Sequence, residues 1–104
     1  MERVGFTMRL LPGAEAEYRR RHAAVWPQML EALRAAGARD YTIFLDGERL
    51  FAYLVVDDFD AFRTAMAATE VNDRWQAEMA ALIDPLTDPA TGFHRRLDEV
   101  FHLE

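Results

Sequence analysis

Residues 3 to 10 alternate without a break, Val4, Phe6, Met8 and Leu10 on one side and Arg3, Gly5, Thr7 and Arg9 on the other. Strict alternation fits a half-buried strand, so one face of that strand must be covered by another layer. Leu11-Pro12-Gly13 ends the pattern, and residues 14 to 36 change to helical spacing. Pro27 falls inside this helical run. It has no N–H to donate and pushes the preceding residue out of the helical region. The run is therefore expected to kink or to split into two abutting helices, the second with Pro27 in its first turn. Met29, Leu30 and Leu33 supply the apolar face of that second part, and Gly37 is its expected stop.

Residues 41 to 45 and 49 to 56 read as strands, with Asp46-Gly47 as the hairpin signal between them. Asp57 and Asp58 can cap a helix that buries Phe59, Phe62 and Met66. A further helix carries Val71, Trp75, Met79 and Leu82. Pro85 and Pro89 then open a loop of about a dozen residues, long enough to expect a role in function or an interface. Leu97 to Leu103 reads as a last strand. The order strand, helix, strand, strand, helix, helix, strand is the split βαβ plan of α+β, ferredoxin-like folds with one antiparallel sheet. In that plan the helices cover one sheet face. The other carries Phe44, Phe51, Tyr53, Val55 and Phe101, an apolar surface expected to meet a second copy in a dimer of the α/β barrel type.

The 104 residues suffice for a single domain, 1–104, and not for two. Acids outnumber bases 18 to 12, so the chain is repelled by nucleic-acid phosphates and by anionic membrane surfaces. The absence of cysteine excludes disulfides, thiol nucleophiles and thiolate metal sites. No apolar run approaches the roughly 20 residues that span a bilayer, and no secretory leader is apparent. The expectation is a cytoplasmic protein.

Tyr18, His22 and Trp26 recur at four-residue intervals and so stack along one helix face. Such a stripe can build a core. It can also set a proton carrier beside flat rings, which suits a small hydroxylated ligand. Histidine titrates near neutrality without help. Arg19, Arg20 and Arg21 are expected to pair with Glu15 and Glu17 on a solvated face. Tyr41, placed at the start of its strand, could aim its hydroxyl at a pocket. Trp75 fits a core pattern or a sugar-stacking surface. Gln76, beside it, points elsewhere on the helix and offers a donor and an acceptor. His94 and His102 show no metal-ligand spacing with His22 or with each other. No nucleotide or phosphate cradle is present, and there is no serine for a serine-based triad.

Five segments carry a resemblance to the L-rhamnose mutarotase family: EYRRRHAAVWP at 17–27, GARDYTIFLD at 37–46, LFAYL at 50–54, RWQAEM at 74–79 and LDEVFHL at 97–103. The resemblance spans essentially the whole chain, and the first segment is the specific one. It implies a dimeric ferredoxin-like fold and interconversion of the α and β anomers of L-rhamnose, or of a related 6-deoxy sugar, with no cofactor. By the same resemblance His22 matches the proton donor, and Tyr18 and Tyr41 match sugar-contacting tyrosines. Trp75 matches the first of two adjacent tryptophans, with Gln76 in place of the second. The hairpin at Asp46-Gly47 is shorter than is usual in the family, and Thr87 to Gly92 replaces an Asn-Pro-rich loop. The rival readings are a cofactor-free monooxygenase-like enzyme and a non-catalytic sugar-binding dimer on the same fold.

Overall fold

The computed structural model describes residues 1–84 and 94–104. The loop expected after Pro85 lies outside the described residues. In chain order the elements are β1 (Glu2–Leu10), α1 (Glu15–His22), α2 (Pro27–Ala35), β2 (Arg39–Asp46), β3 (Arg49–Val56), α3 (Phe59–Ala67), α4 (Glu70–Met79), β4 (Ile83–Asp84) and β5 (Arg95–Leu97). They form one antiparallel sheet in the order β2-β3-β1-β4, with β5 also pairing β1. This is the ferredoxin-like split βαβ arrangement, its fourth strand position shared by two short strands.

The alternation of β1 is realised as read. Val4, Phe6, Met8 and Leu10 are buried and join Leu50, Ala52, Leu54 and Val56 of β3 in the core. The register sets Val4 opposite Leu54, Phe6 opposite Ala52 and Met8 opposite Leu50. The helices close this face with Tyr18, Met29, Phe59, Phe62, Met66, Trp75 and Met79.

Local chemistry fixes the ends of the elements. Pro27 takes the first turn of α2, and Trp26 before it is extended at φ −56°, ψ 133°. Gly37 closes α2 at φ +99°. Its N–H donates to Arg34 O and that of Ala38 to Leu33 O, the paired bonds of a Schellman ending. Asp58 caps α3 by accepting from Ala61 N at 3.0 Å, whereas Asp57 accepts from Arg39 at 2.8 Å. Asp46 and Arg49 are paired, so the hairpin loop is Gly47-Glu48, with Gly47 at φ +61°. A glycine first in a two-residue loop is the II′ pattern, which suits the twist of the strands.

Four expectations need correction. The last strand runs Arg95–Leu97 and not Leu97–Leu103. Beyond it the tail has no regular structure, and Val100, Phe101 and Leu103 are exposed. Their apolar spacing reads as a strand only if a neighbouring strand covers them, and among the described residues none does. The two-residue β4 was not foreseen, being too short for any periodicity. Strand β2 begins two residues before Tyr41, through a bulge between Arg39 and Thr42. On the open sheet face, Phe44 (64 %), Phe51 and Tyr53 are exposed as expected, but Val55 is buried. It stands in register between Arg3 and Arg39, two long side chains able to cover it with their stems.

Two stability changes should follow. Leu54→Ala removes a side chain that is 1 % exposed and should cost about 2–5 kcal/mol. Asp58→Ala should cost about 1 kcal/mol, with Asp58→Asn close to neutral. Urea unfolding monitored by circular dichroism, at unchanged m-value, measures both.

Candidate active site

Helix α1 carries almost no apolar surface, and its stability comes from charge order. Glu15 and Glu17 sit in its first turn and Arg19, Arg20, Arg21 and His22 in its last, matching the helix dipole. Arg19 pairs with Glu15 at 3.2 Å, and Arg20 and Arg21 both pair with Glu17, as the sequence suggested. These contacts, led by the Arg20 hydrogen bond, hold the Glu17 carboxyl down at about 2. Arg21 also pairs with Glu78 of α4. One guanidinium thus ties α1 to α4 on the outer side of the seam that holds the aromatic residues.

Along that seam Tyr18 and His22 stack, with ring centroids 3.9 Å apart and planes 22° from parallel. Trp75 of α4 meets His22 edge-on at 5.4 Å and 76°. Trp26 meets Trp75 in the same manner at 5.1 Å and 85°. The stripe read from sequence therefore divides in use. Tyr18 and His22 form the wall of a cavity, while Trp26 supports Trp75 from behind.

The cavity measures about 1080 Å³ and opens between the helices and the core face of the sheet. Tyr18, His22, Tyr41, Trp75 and Gln76 all line it. Gln76 had been expected to point elsewhere. It does not, because its amide donates to Asn72 Oδ1 at 3.2 Å, one turn earlier on α4, and both residues border the cavity. Asn72 and His94 are lining residues that sequence reasoning did not select. His94 stacks on Phe6 at 5.5 Å and 9°. Nothing in its spacing pointed here, since the topology of β5 against β1 brings it in.

The His22 ring is set by a backbone bond. Nδ1 lies 3.0 Å from Tyr18 O. A carbonyl only accepts, so Nδ1 carries the hydrogen and the neutral ring keeps its lone pair on Nε2. Sequence alone left the protonation balance open between nearby arginines and a helix end. Burial decides it, lowering the His22 pKa below 6.5, with the bond to Tyr18 opposing in part. His94 is lowered by burial as well.

Both phenols are held in their neutral forms. Burial first, then the proximity of Tyr41, raises Tyr18 above its ordinary range. Tyr41 is 38 % exposed as a residue, yet burial pushes its phenol up to about 12, so the hydroxyl end is the enclosed part. Its placement depends on the β2 bulge, where Asp40 adopts φ +51° and Thr42 Oγ1 donates to Asp40 O at 3.1 Å. Bulges commonly re-aim a side chain beside a site in this way. Together the lining presents two hydroxyl donors, an imidazole lone pair, an indole and a carboxamide. That set can hold a small polyhydroxylated ring and move protons on it.

A family model described as L-rhamnose mutarotase matches residues 3–103. An L-rhamnose mutarotase of Burkholderia orbicola (strain MC0-3) is 45 % identical over 105 residues, covering 100 % of both chains. That of Bacillus subtilis (strain 168) is 48 % identical over 90 residues, or 85 % of each chain. The crystal structure of an L-rhamnose mutarotase from Formosa agariphila superposes with a TM-score of 0.79 at 30 % identity, covering 100 % of both chains. The chain belongs to the L-rhamnose mutarotase family.

Proposed function

We propose that this chain interconverts the α and β anomers of L-rhamnose, or of a related 6-deoxy aldose, by acid–base ring opening without a cofactor. The observation that carries this reading is a single ring. His22 stands in the cavity wall between Tyr18 and Trp75, with Nδ1 engaged and Nε2 left for a ligand.

Mutarotation moves one proton onto the ring oxygen and one off the anomeric hydroxyl. The C1–O5 pair stays with O5, and the O1–H pair becomes the second bond of the aldehyde. Rotation about C1–C2 and closure on the other face reverse these transfers. His22 gives the proton to O5 on opening and, as the neutral ring, takes it back on closing. A lowered pKa makes the imidazolium the stronger acid and the neutral form easy to regain. Tyr18 and Tyr41, held as phenols, donate to sugar hydroxyls. Trp75 faces the C–H side of the pyranose, and Gln76 with Asn72 supplies amide contacts at the cavity edge. General acid–base catalysis typically contributes ~10²–10⁴-fold, which suits a reaction that already proceeds in water.

The open sheet face gives the same reading an assembly. Phe44, Phe51 and Tyr53 form an exposed apolar strip on adjacent strands, and a second copy packed sheet to sheet covers it in a homodimer. No helix among the described residues is long and apolar enough to cross a membrane, which agrees with a cytoplasmic enzyme of sugar metabolism.

Three measurements test these statements. Saturation-transfer NMR should show wild type accelerating L-rhamnose anomer exchange and His22→Ala losing about 10²-fold or more of the acceleration; equal rates remove His22. The His22 ring should titrate with a midpoint below 6.5. The unfolded chain then binds the proton more tightly, so stability rises with pH across the window between that midpoint and 6.5 and falls on acidification. A midpoint above 6.5 contradicts the burial argument. Light scattering should find a dimer for wild type and a monomer for Phe44→Glu/Phe51→Glu.

A further inference from the structure

Ring opening needs a group at each of two oxygens on one carbon, and His22 Nε2 serves one of them at a time. Among the described residues, the remaining titratable or charged lining residues are Tyr18, Tyr41, Asp60, Arg63 and His94. The two phenols resist ionisation in their buried positions. A guanidinium stays charged and has no lone pair to offer. Asp60 is exposed, in the first turn of α3. His94 differs from all of these. It comes from the strand side of the cavity, leaving β5 beside β1, and its ring lies nearly flat on Phe6. Phe6 in turn meets Tyr41 edge-on at 6.4 Å. Thus Tyr41, Phe6 and His94 make a wall on the sheet, and Tyr18, His22 and Trp75 make a wall on the helices.

We propose that His94 is the second proton carrier of this cavity, taking the anomeric hydroxyl proton while His22 serves the ring oxygen. The proposal rests on the mutarotase reading above and deepens it. On opening, O1 loses its proton to a neutral His94 nitrogen, C1–O5 breaks, and His22 protonates O5. On closure His94 returns the proton to O1, and the neutral His22 takes the proton of the O5 hydroxyl. Neither atoms nor electrons are left over, and no co-reactant is required. The working pair holds one proton in total. Burial lowers both rings, so each gives up its proton more readily than an exposed imidazole.

The experiment compares L-rhamnose anomer exchange, at saturating sugar, in wild type, His94→Gln, His94→Phe and Asp60→Asn. His94→Phe preserves a flat ring on Phe6 should the glutamine variant fold poorly. Calorimetric titration with L-rhamnose runs alongside. The expected result is exchange reduced about 10²-fold in both His94 variants, with sugar affinity changed by only a few-fold. Wild type should show a bell-shaped pH profile that loses its acid limb in His94→Gln. In a further variant, His94→Ala, whose truncated side chain leaves room for a free base, added imidazole should restore part of the exchange. Undiminished exchange at saturation in the His94 variants overturns the proposal, as does loss confined to affinity, or loss in Asp60→Asn alone. If wild type itself leaves exchange at the buffer rate, the mutarotase reading fails together with this one. Wild-type acceleration with unaffected His94 variants overturns the His94 role alone.

Discussion

The contact on which the site depends is the stack of His22 on Tyr18 with the bond from Nδ1 to the Tyr18 carbonyl. Four-residue spacing on a helix places two side chains one above the other. Here that spacing supplies both a flat neighbour for the imidazole and the acceptor that sets its tautomer. A ring held at face and edge keeps few alternative rotamers, so a ligand reaching Nε2 need not pay to order it. Trp75 completes the enclosure from α4, and the Arg21 link to Glu78 holds that helix alongside.

Burial and charge act at different depths in this small domain. The ionic pairs of α1 lie on its outer surface, where each contributes little. Their joint effect is to let a strongly charged eight-residue segment remain helical. The inner surface carries two phenols and an imidazole whose charged forms burial disfavours. Among the described residues no buried side-chain nitrogen or oxygen lacks a partner. The aromatic walls thus offer polar contacts while disfavouring charge, which suits a neutral sugar, and the charged lining residues Asp60 and Arg63 come from α3.

Much of the fold was legible because its signals were local. The β1 alternation, Pro27, Gly37 and the Asp58 cap each rest on physics that acts within a few residues, and each stands where the pattern put it. The stripe of Tyr18 and His22 was legible for the same reason. His94 and Asn72 were not, because their place in the cavity is decided by strand pairing and helix packing between distant parts of the chain. The tail failed for a related reason. Its apolar residues carry strand propensity, and propensity forms a strand only where a partner edge exists. Gln76 was misjudged because its amide turns back to Asn72 one turn earlier, a side-chain bond that helical spacing alone does not reveal.

The bulge at Asp40 has a consequence for how this chain tolerates change. Counted back from Ile43, which faces the core, uninterrupted pleating would turn Arg39 inward, into hydrocarbon. The additional residue shifts the phase, so Arg39 shares the outward side with Val55 and reaches Asp57, while Tyr41 keeps its hydroxyl inside. Shortening the strand by one residue there is therefore no mere trimming of a loop. It straightens the pleat with Arg39 still opposite Val55 on the outward side, so the ion pair to Asp57 survives and the loss falls on the irregular backbone that aims Tyr41.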